Sequence, residues 1–389
     1  MNNVNNIRCS GCGGCINVCV KNCISMTTNA EGFFEAHADE SQCINCGLCI
    51  AHCSMKVNMT ESRHPITAWA SYSKENDIRN ESTSGGIFTM IARDFLQSGG
   101  IVYGAAYIDG HVKHCRIDSE SNLYMLRGSK YVQSDAFGCQ EQLLLDVRQQ
   151  RRVLFSGTPC QIHGIHTLLR NENMSNVYAI DLICHGVPSP AIFDGYKKHL
   201  ERRNKGKIVN YKFRSKCNAS EIISYNSEVS FCQAYGNKKD IILDGNEDPY
   251  VMRFLTNALQ AEACYSCPYA ADSRISDLTL GDYWGSERVF PHLVEEAKRG
   301  ISLVLVNTEK GSKLFEGQKR IEKIATTENQ YIPLNSHLRK PAVRGAERDL
   351  LYSMLTKNGF SEEYYYRYFL PKGYWSYILK RRIKGILKK

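Results

Sequence analysis

Beyond residue 65, short apolar runs alternate with stretches whose apolar positions recur every three to four residues. Ile66-Thr-Ala-Trp-Ala70 predicts a first strand. Ser82-Thr-Ser-Gly-Gly86 then introduces Ile87–Leu96, which has helical spacing and is closed by Gly99-Gly100, so a capped helix is predicted. Arg152-Val-Leu-Phe-Ser156 predicts a second strand, followed by Gly157-Thr-Pro-Cys-Gln161 and a helical pattern through Leu169. Asn176–Ile183 repeats the device and ends at Cys184-His-Gly-Val-Pro188. Strands that feed helices in this way predict an α/β or α+β core. Cys160 and Cys184 fall where two strands leave the sheet, at the edge where open α/β sheets bind ligands. Neighbouring strands lie about 4.8 Å apart, so both thiols can face one site.

The chain has 389 residues, which predicts two or three domains, and its 43% hydrophobic and 23% charged residues are ordinary globular usage. No apolar run approaches the roughly 20 residues of a bilayer span, and no basic patch precedes an apolar core at the amino terminus. The expected location is cytoplasmic. Seventeen cysteines, an odd number, then favour metal ligation over a disulfide framework. Lys372–Lys389 holds seven Lys or Arg and no acid, so most of the formal net charge of +9 belongs to the tail. No nucleic-acid partner is expected from it.

Self-comparison finds one repeat: Cys9, Cys12, Cys15 and Cys19 recur as Cys43, Cys46, Cys49 and Cys53, each copy reading C-x2-C-x2-C-x3-C. In this spacing three thiolates wrap one cubane and the fourth ligates the other. One 4Fe-4S cluster would take Cys9, Cys12, Cys15 and Cys53, and a second Cys43, Cys46, Cys49 and Cys19. A structural zinc domain is the rival, but zinc prefers four ligands in paired C-x2-C knuckles. Val20 and Ser54 stand where proline commonly follows the fourth cysteine. Residues 1–62 resemble a bacterial two-cluster ferredoxin domain, with Arg63-His-Pro65 as linker. Farther on, Cys264-Tyr-Ser-Cys267 joins Cys160 and Cys184 as four candidate thiolates for a third 4Fe-4S cluster. Taken singly, such cysteines also suit core packing, zinc or a redox dithiol. Cys23, Cys115, Cys139, Cys217 and Cys232 have no partner at ligand spacing and are assigned to packing.

The motifs Ser84-Gly-Gly86, Gly128-Ser-Lys-Tyr131, Phe155-Ser-Gly-Thr-Pro-Cys-Gln161, Asp181-Leu-Ile-Cys-His-Gly186, Cys264-x2-Cys267, Asp277 and Gly281-Asp-Tyr-Trp-Gly285 together resemble the coenzyme F-420 hydrogenase/dehydrogenase beta-subunit family. The resemblance implies FAD and a core 4Fe-4S cluster, in a mixed α/β flavin and iron–sulfur domain behind the ferredoxin-like one. It divides the remainder into 65–150 with the flavin, 151–310 with the core cluster, and an extension over 311–389. The implied function is an oxidoreductase passing electrons between 4Fe-4S clusters, a flavin and a deazaflavin or other small organic substrate. A ferredoxin or another redox protein would be the electron donor. Bacterial relatives of this form suggest a link to surface-polysaccharide synthesis. The alternative is an electron-transfer subunit with no substrate of its own.

Within that resemblance, Ser84, Gly85 and Gly86 are candidates for the FAD phosphates, since a Gly-rich turn opening a helix offers N–H groups; an ordinary helix cap has the same look. Lys130 would face the flavin pyrimidine edge, or be a solvated lysine. Thr158 and Gln161 would reach cluster sulfur or flavin, and His185 would donate a second-sphere hydrogen bond or a proton. Asp277 and Trp284 are read as structural. In the tail, Trp375, Ile378, Leu379, Ile383, Ile386 and Leu387 share a helical face, with Lys380, Arg381, Lys384, Lys388 and Lys389 largely opposite. Such a helix can lie on the inner face of an anionic membrane as a peripheral contact, or cover the core.

Overall fold

The structure is a computed structural model and describes residues 2–56, 62–217 and 225–387. Lys388 and Lys389 of the tail lie outside the described residues. The front of the chain builds an antiparallel pair, β1 (Ile24–Thr28) and β2 (Phe34–Ala38), between its two cysteine runs. There follow β3 (Thr67–Ser73), β4 (Ile101–Ile108), β5 (His111–Ile117), β6 (Val153–Gly157) and β7 (Val177–Leu182). Next come β8 (Gly206–Ser215), β9 (Asn226–Gln233) and β10 (Lys238–Leu243), and then β11 (Leu278–Asp282), β12 (Ser302–Val306) and β13 (Ile321–Thr326).

Eight strands form one sheet in the order β13-β3-β12-β11-β7-β6-β4-β5. Its centre is parallel, β4 to β6, β6 to β7 and β7 to β11, and both flanks are antiparallel. This is the mixed α/β architecture that the alternating pattern predicts. All five residues of β6 are buried, as a central parallel strand covered on both faces requires. One face packs Ile87, Ile91 and Phe95 of the helix Ile87–Gln97; the other packs Ile162 and Ile165 of the helix Pro159–Leu168. β13 comes from the region beyond residue 310 and joins the sheet edge against β3.

A smaller antiparallel sheet, β10-β9-β8, shares an aromatic core with the helices Pro190–Asn204, Pro249–Leu255 and Arg348–Asn358. Tyr364, Tyr365 and Phe369 enter this core. Buried Arg253 donates to the carbonyls of Tyr368, Phe369 and Leu370 at 2.9–3.0 Å and so fixes that turn. The front unit is locked onto the body. Arg348 makes two hydrogen bonds to Glu31, at 2.9 and 2.6 Å, and Gln133 accepts from Phe34 N–H at 2.7 Å. No helix among the described residues is long and apolar enough to cross a membrane.

Candidate functional site

The front cysteines fall into two adjoining groups. Burial pushes Cys9 up to about 11, with Cys12 and Cys53 adding to it, and Cys15 rises further under burial and the charges of Cys12, Cys9 and Cys53. Cys53 of the second run is thus near Cys9 and Cys15 of the first, and Cys15 feels Cys49 as well. Cys9 sulfur also accepts N–H groups from Gly11 at 3.3 Å and Ala36 at 3.4 Å. In the other group Cys43 neighbours Cys49, and Cys23 lies 3.5 Å from Cys19 while also feeling Cys43. Cys46 is exposed.

The larger domain brings its four candidate cysteines together from three places. β6 ends at Gly157; Thr158 caps the next helix in a reciprocal box with Gln161, and Pro159 pre-sets the first turn, which presents Cys160. Neighbouring β7 leads to Cys184, whose sulfur accepts Gly186 N–H at 3.3 Å. The bridge between Pro188 and Gln260 then delivers the turn Glu262–Ser266, which carries Cys264 and is closed by Cys267. Gly186 has φ +99°, and a Cβ there would stand 2.6 Å from Gln260 Cγ and 3.1 Å from Cys264 Cβ. Glycine is what lets that turn close on Cys184.

All four cysteines line one pocket of about 660 Å³ including its open mouth. Burial raises every one of these thiols, Cys184 to about 11, Cys264 to about 12, and Cys160 and Cys267 also upward. Thiols held so far above neutrality ligate only when a strong positive centre offsets the thiolate charge, which iron does. Among the described residues no three His, Cys, Asp or Glu side chains gather closely enough to hold a single ion; the four thiols stand around a space instead.

The front unit reaches this pocket. Ser10 lines it, and Cys12 is near enough for its charge to raise Cys160. A Cβ on Gly164, one turn beyond Cys160, would stand 2.8 Å from Cys12 O and 3.2 Å from its sulfur. Tyr269 donates to Ser54 O at 2.9 Å and feels Cys160, Cys12, Cys267 and Cys53 together. The two cysteine regions therefore share one wall.

The remaining candidates separate. Thr158, Gln161 and His185 line the cysteine pocket, whereas Ser84, Gly85, Gly86 and Lys130 do not. Thr158 Oγ1 stands 3.2 Å from Cys160 sulfur, and Gln161 Nε2 donates to Ser134 at 2.9 Å. Burial, with His337 beside it, lowers His185 to about 4, and its Nε2 is buried without a hydrogen-bond partner. Ser84 donates to Ile301 O at 3.0 Å, and Gly85 N–H to Ser302 Oγ at 2.9 Å. Gly86, at φ +86°, caps the helix Ile87–Gln97. These donors tie a loop to β12, which is the ordinary-cap alternative. Lys130 Nζ donates to Met125 O at 3.1 Å and Arg127 O at 2.9 Å, and burial lowers it to about 7, so it is not a solvated lysine. Asp277 is structural as expected, accepting Ala179 N–H at 2.8 Å and Thr308 Oγ1 at 2.7 Å. Trp284 is half-buried under the Arg214 guanidinium rather than in the core. Cys217 and Cys232 are exposed, which corrects their assignment to packing.

Sequence reasoning missed Gln133, Tyr269, Arg274 and His337, all of which line the pocket. None sits in a repeated spacing; only Tyr269, two residues after Cys267, had a local cue.

Residues 150–330 match the family model for the carboxyl-terminal part of the coenzyme F420 hydrogenase/dehydrogenase beta subunit, and residues 8–57 match that of a 4Fe-4S dicluster domain. The first range holds Cys160, Cys184, Cys264 and Cys267, and the second all eight cysteines of the repeat. Among solved structures, a chain of the F420-reducing [NiFe] hydrogenase complex from Methanosarcina barkeri, in a xenon-derivatised form, is similar at 16% identity over 78% of this chain and 91% of that one, with a TM-score of 0.44. No curated protein matches. A 4Fe-4S dicluster domain in front is thus followed, over residues 150–330, by a region related to the carboxyl-terminal part of the coenzyme F420 hydrogenase/dehydrogenase beta subunit, which makes this an iron–sulfur electron-transfer chain.

Proposed function

We propose that the chain is an iron–sulfur flavoprotein oxidoreductase that relays electrons through three 4Fe-4S clusters to or from a small organic substrate. Cys9, Cys12, Cys15 and Cys53 would hold the first cluster, Cys43, Cys46, Cys49 and Cys19 the second, and Cys160, Cys184, Cys264 and Cys267 the third. A 4Fe-4S cluster supplies one-electron storage when bound. The chain's own part is to hold the thiolates, to give Cys9 and Cys184 backbone N–H donors, and to keep the first and third sites in contact through Cys12 and Gly164. That contact is the observation that carries the proposal, because it makes the front unit an entry for electrons from a ferredoxin or other redox protein.

A flavin belongs to this reading as the partner able to hold two electrons, and the family resemblance supports it. The donors of Ser84, Gly85 and Lys130 are engaged within the protein, so they are not assigned to it. Oxygen-free purification with iron, sulfide and flavin quantitation tests the whole: about twelve irons and one flavin per chain are expected. A pale, zinc-bearing preparation would defeat the proposal. Product formation by the isolated chain with an artificial reductant separates a substrate-using enzyme from a pure relay.

A peripheral membrane contact has its own support. On the helix Tyr374–Leu387, Ile378 turns inward at 6% exposure, and Arg381 pairs with Asp244 at 2.8 Å. Trp375, Leu379 and Ile383, at one side of the same helix, are 63%, 61% and 48% exposed. An outward apolar stripe beside basic residues suits an anionic bilayer surface. Cosedimentation with anionic liposomes is expected, to be lost in Trp375→Ala/Leu379→Ala/Ile383→Ala; equal sedimentation of both proteins would remove the idea.

A further inference from the structure

Arg274 is a buried guanidinium beside the four pocket cysteines. It sits between the C-x2-C pair and β11, and its backbone is bridged to Arg63, at the linker behind the front unit, by two 2.8 Å hydrogen bonds. Its side chain is buried, 2% exposed at residue level, and lines the pocket with the four cysteines. Nε and Nη2 are buried without a hydrogen-bond partner, and Nη1 stands 3.9 Å from Asp181 Oδ2, an ion-pair distance too long for a hydrogen bond. A guanidinium with idle buried donors is costly unless an anion faces it. Asp181, at the end of β7 and three residues before Cys184, offers one negative charge from one side. The four thiols line the same pocket, and the guanidinium lowers both Cys184 and Cys267 against their burial.

We propose that Arg274 is a positioning residue that sets the reduction potential of the third cluster, with Asp181 as its counterweight. The proposal rests on the third cluster of the preceding section. Four thiolates around an oxidised 4Fe-4S centre leave a net charge of roughly −2, and uptake of one electron makes it roughly −3, with no bond made or broken and no proton moved. A fixed positive charge with free N–H donors stabilises the reduced form more than the oxidised one, so it raises the potential. A buried carboxylate beside it does the reverse.

The test is an EPR-monitored redox titration, with dithionite as reductant, of the full chain purified without oxygen. Arg274→Gln is expected to lower the equilibrium constant for reducing the third cluster tenfold or more, which is about 59 mV for a one-electron couple. Asp181→Asn is expected to shift it the opposite way, the double variant to return toward wild type, and the front clusters to stay in place. A purely structural ion pair would not give shifts of opposite sign. If Arg274→Gln does not fold, Asp181→Asn alone decides by the sign of its shift. About twelve irons with an unmoved potential, or two single variants shifting in the same direction, overturns this assignment alone. A wild-type count of about eight irons overturns the third cluster and this assignment together.

Discussion

Replacing Gly164 by alanine sets two opposing effects against each other. In a helix interior the change ordinarily gains about 0.5–1 kcal/mol, because glycine loses more backbone freedom on folding. Here the new methyl would meet Cys12 O at 2.8 Å, Cys12 Cβ at 3.0 Å and Cys12 sulfur at 3.2 Å. The nearest of these is backbone within a cysteine loop, so it cannot swing aside as a flexible side chain could. A Cβ on Gly14, across the same contact, would itself stand 3.1 Å from Gly164 Cα, so relaxation on that side is also limited. Overpacking of this kind costs about 1–3 kcal/mol, which outweighs the propensity gain. The net expectation is a loss of about 1–2 kcal/mol, concentrated in the contact between the front unit and the body. Urea denaturation should show it as an earlier loss of visible cluster absorbance than of far-ultraviolet helix signal. Rapid-mixing reduction should show slower electron arrival at the third cluster. If Gly164→Ala instead stabilises both signals together, the front unit does not abut the Cys160 helix and the relay loses its junction.

Further outcomes follow from individual contacts. Glu31→Gln removes the nearer carboxylate from the buried Arg348 guanidinium and leaves only Glu262 at 3.8 Å, so a loss of about 1–3 kcal/mol is expected in chemical denaturation. Arg93 and then Arg320 hold Glu75 down to about 2 against the opposing effect of burial. A depressed carboxylate contributes fully above its ordinary value near 4.5 and loses that contribution as pH falls through about 2. Arg93→Met should therefore cost about 1–2 kcal/mol at pH 7, after allowance for solvent screening, with the gap to wild type closing toward pH 2. Cys217 and Cys232 should react with maleimide in the folded holoprotein without loss of iron, measured by peptide mass mapping beside iron assay.

The parts of this protein legible in its sequence are those written in short-range spacing. Two copies of C-x2-C-x2-C-x3-C mark out the front cysteine loops, because each copy spans only eleven residues. The pairing of β6 with β7 was equally accessible: two buried apolar runs, each followed by a helix cap, place Cys160 and Cys184 side by side. Features set by distant partners were not. Ser84 and Gly85 have the look of an open N–H cradle, yet their donors are claimed by Ile301 and Ser302, more than two hundred positions away. Lys130 reads as a surface lysine until the turn Glu120–Leu126 folds over it. Arg274 and Tyr269 carry no repeat of their own and become functional candidates only when the pocket assembles. In the tail, periodicity identified the helix but assigned Ile378 to the same face as Trp375 and Leu379; packing turns Ile378 inward and leaves the others outside.

In the proposed relay Cys160, Cys184, Cys264 and Cys267 grip a cluster of their own beside the front pair. Its most direct measurement is the iron and sulfide content of Cys160→Ala against wild type, both purified without oxygen and checked for equal folding by far-ultraviolet circular dichroism. A loss of about four irons and four sulfides, with the reduced EPR signals of the front clusters intact, is the predicted result. Equal iron in the two proteins would contradict it.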